Sequence, residues 1–206
     1  MNDLSSSRGS APLLFDELTR DPPVSRQTPA PNGLRYHPDF ISPEEEAELI
    51  ARIRALPLTP FQFGQYEGKR RVAWFGWRYD YSNRQLERAD EIPKWVVPYV
   101  ARVESFAGLP PGAVQQILFT EYDQGVGIGW HRDKPHFDEI FGLSLASACK
   151  FRFRHKMAGG WQRFTLAAQS RSLYVLAGEA RRVWEHSIPA VDAARYSVTF
   201  RTMAGH

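Results

Sequence analysis

Trp130-His131-Arg132-Asp133 is the stretch on which the reading of this chain turns. On an extended backbone, residues two apart project to one face, so His131 and Asp133 present an imidazole nitrogen and a carboxylate oxygen to the same point. A third donor lies far downstream in Trp184-Glu185-His186-Ser187, and shortly after it comes Arg195-Tyr196-Ser197-Val198-Thr199-Phe200-Arg201. Two histidines and one carboxylate make a facial triad, which suits Fe(II) and leaves coordination positions open for an organic acid and dioxygen. In the downstream strand Tyr196, Val198 and Phe200 form an apolar face, so Arg195, Ser197, Thr199 and Arg201 share the other. Arginines on an interior face need acidic partners, and a dicarboxylate supplies two. Alone, a His-X-Asp is commonly a surface pair and an arginine-bearing strand a solvated face; their combination is what points to a metal and oxoacid site. His136 is a rival donor, since His-X-Asp-X-X-His would suit zinc, although Pro135 restricts the backbone between them.

Upstream, Val114 to Tyr122 reads as a strand with Leu118, Thr120 and Tyr122 on one face, which aims the Tyr122 hydroxyl at the same interior as His131. The glycines of Asp123-Gln124-Gly125-Val126-Gly127-Ile128-Gly129 bend the chain between the two. Downstream, Ile140 to Ala146 and Cys149 to Phe153 read as strands. In the second, Lys150, Arg152 and Arg154 lie opposite the apolar positions, where they either grip a phosphodiester or face solvent. Gly159-Gly160 marks a turn, Ser172 to Leu176 another strand, and Gly178-Glu179-Ala180 a turn ahead of His186. Many short strands following two helices, with polar inward faces at both ligand strands, predict an α+β, mainly β chain. The expected architecture is a double-stranded β-helix, or jelly roll, with helices packed on one sheet.

The set His131-X-Asp133, His186 and Arg195-X-Ser197-X-Thr199-X-Arg201 resembles the signature of AlkB-type Fe(II)- and 2-oxoglutarate-dependent dioxygenases, over roughly Gly33 to Thr202. The resemblance implies Fe(II) on His131, Asp133 and His186, with dioxygen as co-reactant. It also implies 2-oxoglutarate with its far carboxylate on Arg195, and Tyr122 and Arg201 completing the cosubstrate site. Thr120 and Ser197 stand where the family usually has asparagine, and each keeps a hydroxyl donor. The implied activity is oxidative dealkylation of alkylated bases in DNA or RNA, releasing aldehyde, succinate and CO2. Pro135 stands where the family often has an acidic residue that contacts the base, which keeps a protein side chain or a small molecule as alternative substrates.

From Phe61 to Ser82, aromatic residues interleave with Lys69, Arg70, Arg71 and Arg78, a composition suited to stacking bases and holding phosphates, although aromatic strand residues are also ordinary core. The resemblance implies a nucleotide-recognition lid here, at about 61–82. Tyr79 and Tyr81, with Trp77, are the candidate base-stacking residues, and Arg70 and Arg71 the candidate phosphate contacts.

The remainder of the chain frames this site. Its 206 residues, 43% of them hydrophobic, are enough for one substantial core. The expected division is a flexible tail over 1–32, rich in serine and proline with only Leu13-Leu14-Phe15 able to dock, and a single domain over 33–206. Ser42-Pro43-Glu44-Glu45 carries a capping serine, a first-turn proline and a glutamate three residues after the cap, so a helix should follow with Ala47, Leu49, Ile50, Ile53 and Leu56 as its apolar stripe. A second helix is expected over 93–107, kinked at Pro98 and ended by Gly108. A net charge of +3 permits a polyanionic partner without requiring one. The single cysteine, Cys149, cannot form an internal disulfide, and no apolar run or signal-like start is present, so a monomeric cytoplasmic protein with no membrane partner is the expectation.

Overall fold

A computed structural model describes residues 28–63 and 65–205; most of the expected tail, including Leu13-Leu14-Phe15, lies outside the described residues. Strand β1 (Leu34–His37) ends shortly before Asp39, which takes a left-handed φ of 48°. Helix α1 (Pro43–Arg54) then begins with the full capping box: Ser42 Oγ accepts from the Glu45 amide at 3.2 Å, and the Glu45 carboxylate accepts from the Ser42 amide at 2.9 Å. Strands β2 (Thr59–Phe63) and β3 (Tyr66–Phe75) follow, then the hairpin of β4 (Trp77–Asp80) and β5 (Gln85–Arg88). Pro98 does not kink the second helix. A short 3₁₀ turn over Lys94–Val96 precedes α2 (Val97–Ala107), so the proline sits in the first α-helical turn, where its missing N–H costs nothing, and Gly108 closes the helix at φ 70°.

The rest is strand: β6 (Val114–Tyr122), β7 (Ile128–His131), β8 (Phe137–Leu145), β9 (Cys149–Met157), β10 (Gly160–Ala168), β11 (Leu173–Leu176), then the helical turn α3 (Gly178–Arg182), β12 (Glu185–Ile188) and β13 (Arg195–Met203). Strand β9 runs further than its apolar alternation suggested because it pairs along its whole length with β10 across the Gly159-Gly160 turn. Seven strands form one antiparallel sheet in the order β1-β11-β8-β13-β6-β3-β2, and four form a second in the order β10-β9-β12-β7. This is a jelly roll with the helices on one sheet.

The larger sheet is covered on both faces. Ile117, Phe119, Val198 and Phe200 pack with Leu49, Ile53, Val100 and Val103 of the helices. On the other face Tyr122, Ile140 and Tyr174 meet Phe151, Phe153 and Ile188 of the smaller sheet. Strand β13 therefore buries polar and apolar residues alike, as a strand sandwiched between two layers must. Gly142 has a packing reason: a Cβ there would collide with the Tyr174 ring, its cross-strand partner, which lies over it as part of the wall of the cavity between the sheets. No helix among the described residues is long and apolar enough to cross a membrane.

Candidate active site

The metal-competent residues meet because of strand register. Strand β12 pairs antiparallel with β7 so that His186 lies directly opposite His131, with ring centroids 4.3 Å apart. Asp133 lies two residues past the end of β7, and its Oδ2 comes to 3.4 Å from His186 Nε2. One donor atom from each of the three residues falls within 4.8 Å of the others, a cluster that fits a single ion bound on one face. His136 is not part of it; its ring packs 5.4 Å from that of Tyr79.

The charge states suit a cation. His131 Nδ1 lies 2.9 Å from the Gly129 carbonyl, which assigns its proton to Nδ1 and turns Nε2 to the cavity. Burial, and then the neighbouring His186, pull the His131 pKa down to about 4, so the ring is neutral and able to donate a lone pair at neutral pH. Burial works against ionisation of Asp133, but Arg201 and then His186 hold its carboxyl well below the usual range. Arg201 donates from Nη2 to Asp133 Oδ1 at 2.6 Å and from Nη1 to Gln116 Oε1 at 2.6 Å, and Gln116 in turn donates to the Trp77 carbonyl at 2.7 Å. The guanidinium expected to bind cosubstrate thus also fixes the ligand carboxylate.

Arg195 is fully buried and does not itself line the cavity; the ring of Tyr122, its cross-strand partner, which does, is 5.1 Å away. One nitrogen donates to Ser144 Oγ at 3.2 Å, while Nε and Nη1 have no hydrogen-bond partner among the described residues. A buried cation with two unmet donors is costly unless a ligand completes it, and a carboxylate fits that geometry. Thr120 and Ser197 face each other across β6 and β13 on the same wall. The residues present therefore fit both Fe(II) and a dicarboxylate.

The mouth of this cavity is lined by Phe61, Arg70, Tyr79, Tyr81 and Lys134. Arg70 stacks on Phe61 at 3.9 Å, Tyr79 and Tyr81 meet edge to face at 5.0 Å, and the Lys134 ammonium sits 4.6 Å and 4.8 Å from their two rings. Two of the expected substrate residues are elsewhere. Neighbours on a strand point to opposite faces, so Arg71 turns away from Arg70 and pairs with Glu121 at 2.9 Å. Trp77 likewise lies outside the cavity, covered by Arg88 at 4.1 Å.

Several residues at the site went unselected in the sequence. Gln116 is in phase with Leu118, Thr120 and Tyr122, so period-two counting along β6 would have found it. Lys134 and Ser144 carried no such mark. Arg181 carried none either, yet it is 5% exposed and donates to the carbonyls of Asp133, Lys134, Phe137 and Asp138, at 2.6 to 3.3 Å, cinching the loop that presents Asp133.

Comparison with known proteins agrees with this geometry. Residues 33–201 match the 2OG-Fe(II) oxygenase superfamily. An Arabidopsis thaliana protein named alkylated DNA repair protein ALKBH8 homolog is 32% identical over 181 residues, covering 76% of this chain and 51% of the relative. The mouse tRNA (carboxymethyluridine(34)-5-O)-methyltransferase ALKBH8 is also 32% identical, over 165 residues that cover 77% of this chain and 24% of that protein. The chain thus spans about half or less of these relatives' length. In three dimensions it is similar to OsALKBH1, with a TM-score of 0.64 and 17% identity over 85% of this chain and 99% of that one. A Pseudomonas putida prolyl-4-hydroxylase shares the fold at a TM-score of 0.57 and 13% identity, over 84% of this chain and 93% of that one. The chain belongs to the 2OG-Fe(II) oxygenase superfamily, whose members take Fe(II), 2-oxoglutarate and dioxygen, and is homologous to its AlkB branch.

Proposed function

We propose that this oxygenase removes alkyl groups from bases of DNA or RNA, using residues 61–82 with Lys134 as the grip on the nucleotide. The observation that carries the reading is the aromatic and cationic mouth of the metal cavity, in which Phe61, Tyr79 and Tyr81 offer flat faces beside Arg70 and Lys134. A base attacked at a buried metal must leave its stack, and flat side chains with nearby cations replace the stacking and phosphate solvation it loses. The names of the ALKBH relatives include both DNA repair and tRNA modification, so both nucleic acids belong in the test.

Within the site each residue has a separable task. His131, His186 and Asp133 would hold Fe(II), and Arg201 keeps Asp133 ionised and oriented. Arg195 would take the far carboxylate of 2-oxoglutarate, with Tyr122 as its lid and Thr120 and Ser197 on the adjoining wall. Bound together, the metal, cosubstrate and dioxygen supply a two-electron oxidation that converts a C–H of the alkyl group to C–OH, with 2-oxoglutarate leaving as succinate and CO2. A hydroxymethyl group on a ring nitrogen then falls apart to formaldehyde and the restored base.

Oligonucleotides carrying 3-methylcytosine or 1-methyladenine, in DNA and RNA versions, should release formaldehyde in step with succinate. Turnover of 2-oxoglutarate that ignores every oligonucleotide but responds to a peptide or small metabolite would replace this reading with the alternative substrate classes.

A further inference from the structure

The outer face of the smaller sheet carries a second surface that the metal cavity does not use. Lys150, Arg152, Arg154 and Lys156 project from β9 opposite the buried Cys149, Phe151 and Phe153. Three of these cations alternate with two indoles. The Arg152 guanidinium lies 5.1 Å from the Trp130 ring, and Arg154 lies 4.5 Å from Trp130 and 4.4 Å from Trp161. Beyond it, the Lys156 ammonium is 5.3 Å from Trp161. Beside this ladder is a concavity of about 360 Å³, lined among others by Arg132, Arg154, Lys156, Trp161, Arg182 and Glu185. The acid among them, Glu185, is occupied by Arg154 at 2.6 Å and faces Arg132 at 3.6 Å. Trp161, a large apolar ring, is nevertheless 38% exposed. Arg132, which sits between the ligands His131 and Asp133, also lines the metal cavity, so the two depressions share a wall.

We propose that this groove is a track for nucleotides flanking the one over the metal, with phosphates on Lys156 and Arg132 and an unpaired base stacked on Trp161. The inference rests on the nucleic-acid reading above and adds to it a second contact region on a different sheet. Charge complementarity selects the occupant: a dense cationic strip with an exposed ring beside two of its cations matches a polyanion that also carries flat π-faces. A bare polyanion would need the charges but not the indole.

The test measures binding of fluorescein-labelled single-stranded RNA and DNA of about 16 nucleotides, long enough to reach both depressions. In parallel, turnover is followed on a methylated trinucleotide, which adds one nucleotide on each side of the metal cavity and is too short to follow the track. Trp161→Ala should weaken the longer strands by roughly ten-fold. Lys156→Ala should weaken them less and lower the salt slope by about one. Both should process the trinucleotide like the parent, with circular dichroism confirming the fold. Parental affinity for the long strands in Trp161→Ala overturns the track, leaving the ladder as sheet packing, while trinucleotide turnover by the parent leaves the functional reading standing. A parent with no affinity for any oligonucleotide and no trinucleotide turnover overturns both. Capture of phosphatidylserine vesicles in place of oligonucleotides would overturn the track in favour of a membrane surface.

Discussion

Asp133 has two attachments, and they separate the consequences of replacing it. Its Oδ2 faces His186 and the metal position, while its Oδ1 neutralises Arg201, whose side chain is 11% exposed. Asp133→Ala would strand that guanidinium in a nearly dry site, which costs about 3–5 kcal/mol, so loss of activity in that variant would mix misfolding with lost coordination. Asp133→Asn keeps an acceptor for Arg201 but removes the negative charge that balances the ion. It should retain most of the parent's melting temperature while Mn(II) affinity, followed by calorimetry, falls by roughly 100-fold or more. Undiminished Mn(II) affinity would remove Asp133 from the ligand set. At Arg195 the expected change is in cosubstrate affinity alone. Arg195→Lys keeps the charge and loses the planar fork, and a charge-assisted bond is worth about 1.5–3 kcal/mol, so 2-oxoglutarate should bind roughly ten-fold or more weakly. Equal binding would place the far carboxylate on another residue.

At the scale of elements, the ligand strands work through register. A one-residue slip of β12 on β7 would turn His186 to the opposite face, away from His131, and the flanking pairing of β12 with β9 resists it. The loop after β7 has no ladder to hold it and relies on Arg181 instead. Arg181→Ala should cost at least about 2 kcal/mol, since a charged donor leaves four carbonyls. It should also weaken Mn(II) binding even though Arg181 contributes no ligand; Arg181→Lys should recover part of both, and a variant that melts lower with metal affinity intact would limit Arg181 to stability. Much of this level was legible in the sequence. The capping box at Ser42, the alternation of β6 and β13, and the spacing of His131 and Asp133 are local patterns with local causes, whereas His186 joins them only through the combined motif. The kink expected at Pro98 failed because a preceding 3₁₀ turn moved the proline to a helix start. Composition identifies a segment rich in aromatics and cations but does not say which side of each strand faces inward; for Arg71 that depends on the pairing of β3 with β6, fifty residues away, and for Trp77 on the separate β4–β5 hairpin. Arg181 left no trace at all, since its acceptors are backbone carbonyls, which no side-chain pattern reports.

For the whole molecule, the helices cover one face of the larger sheet so that its other face and the smaller sheet enclose polar groups beside a second apolar cluster. The wall proposed for the cosubstrate comes mostly from β6 and β13 of the larger sheet and the histidines from the smaller one, and residues of β2, β3 and β4 with their neighbours line the mouth. Removing part of that mouth should therefore uncouple its role from the metal centre: Tyr81→Ala should lower turnover of a methylated oligonucleotide by roughly ten-fold, with substrate-independent 2-oxoglutarate decarboxylation nearly unchanged. Equal turnover of the oligonucleotide would assign Tyr81 to packing. A dioxygenase centre and a nucleic-acid substrate have to act in one reaction. Both are read together when CO2 from 2-oxoglutarate and formaldehyde from a 3-methylcytosine oligonucleotide are measured in the same mixture, for the parent and for Asp133→Asn. Near-equal amounts of the two products are expected from the parent, in DNA, RNA or both, and neither from the variant; CO2 release by the parent that neither rises with the methylated oligonucleotide nor yields formaldehyde from it would rule out nucleic-acid dealkylation.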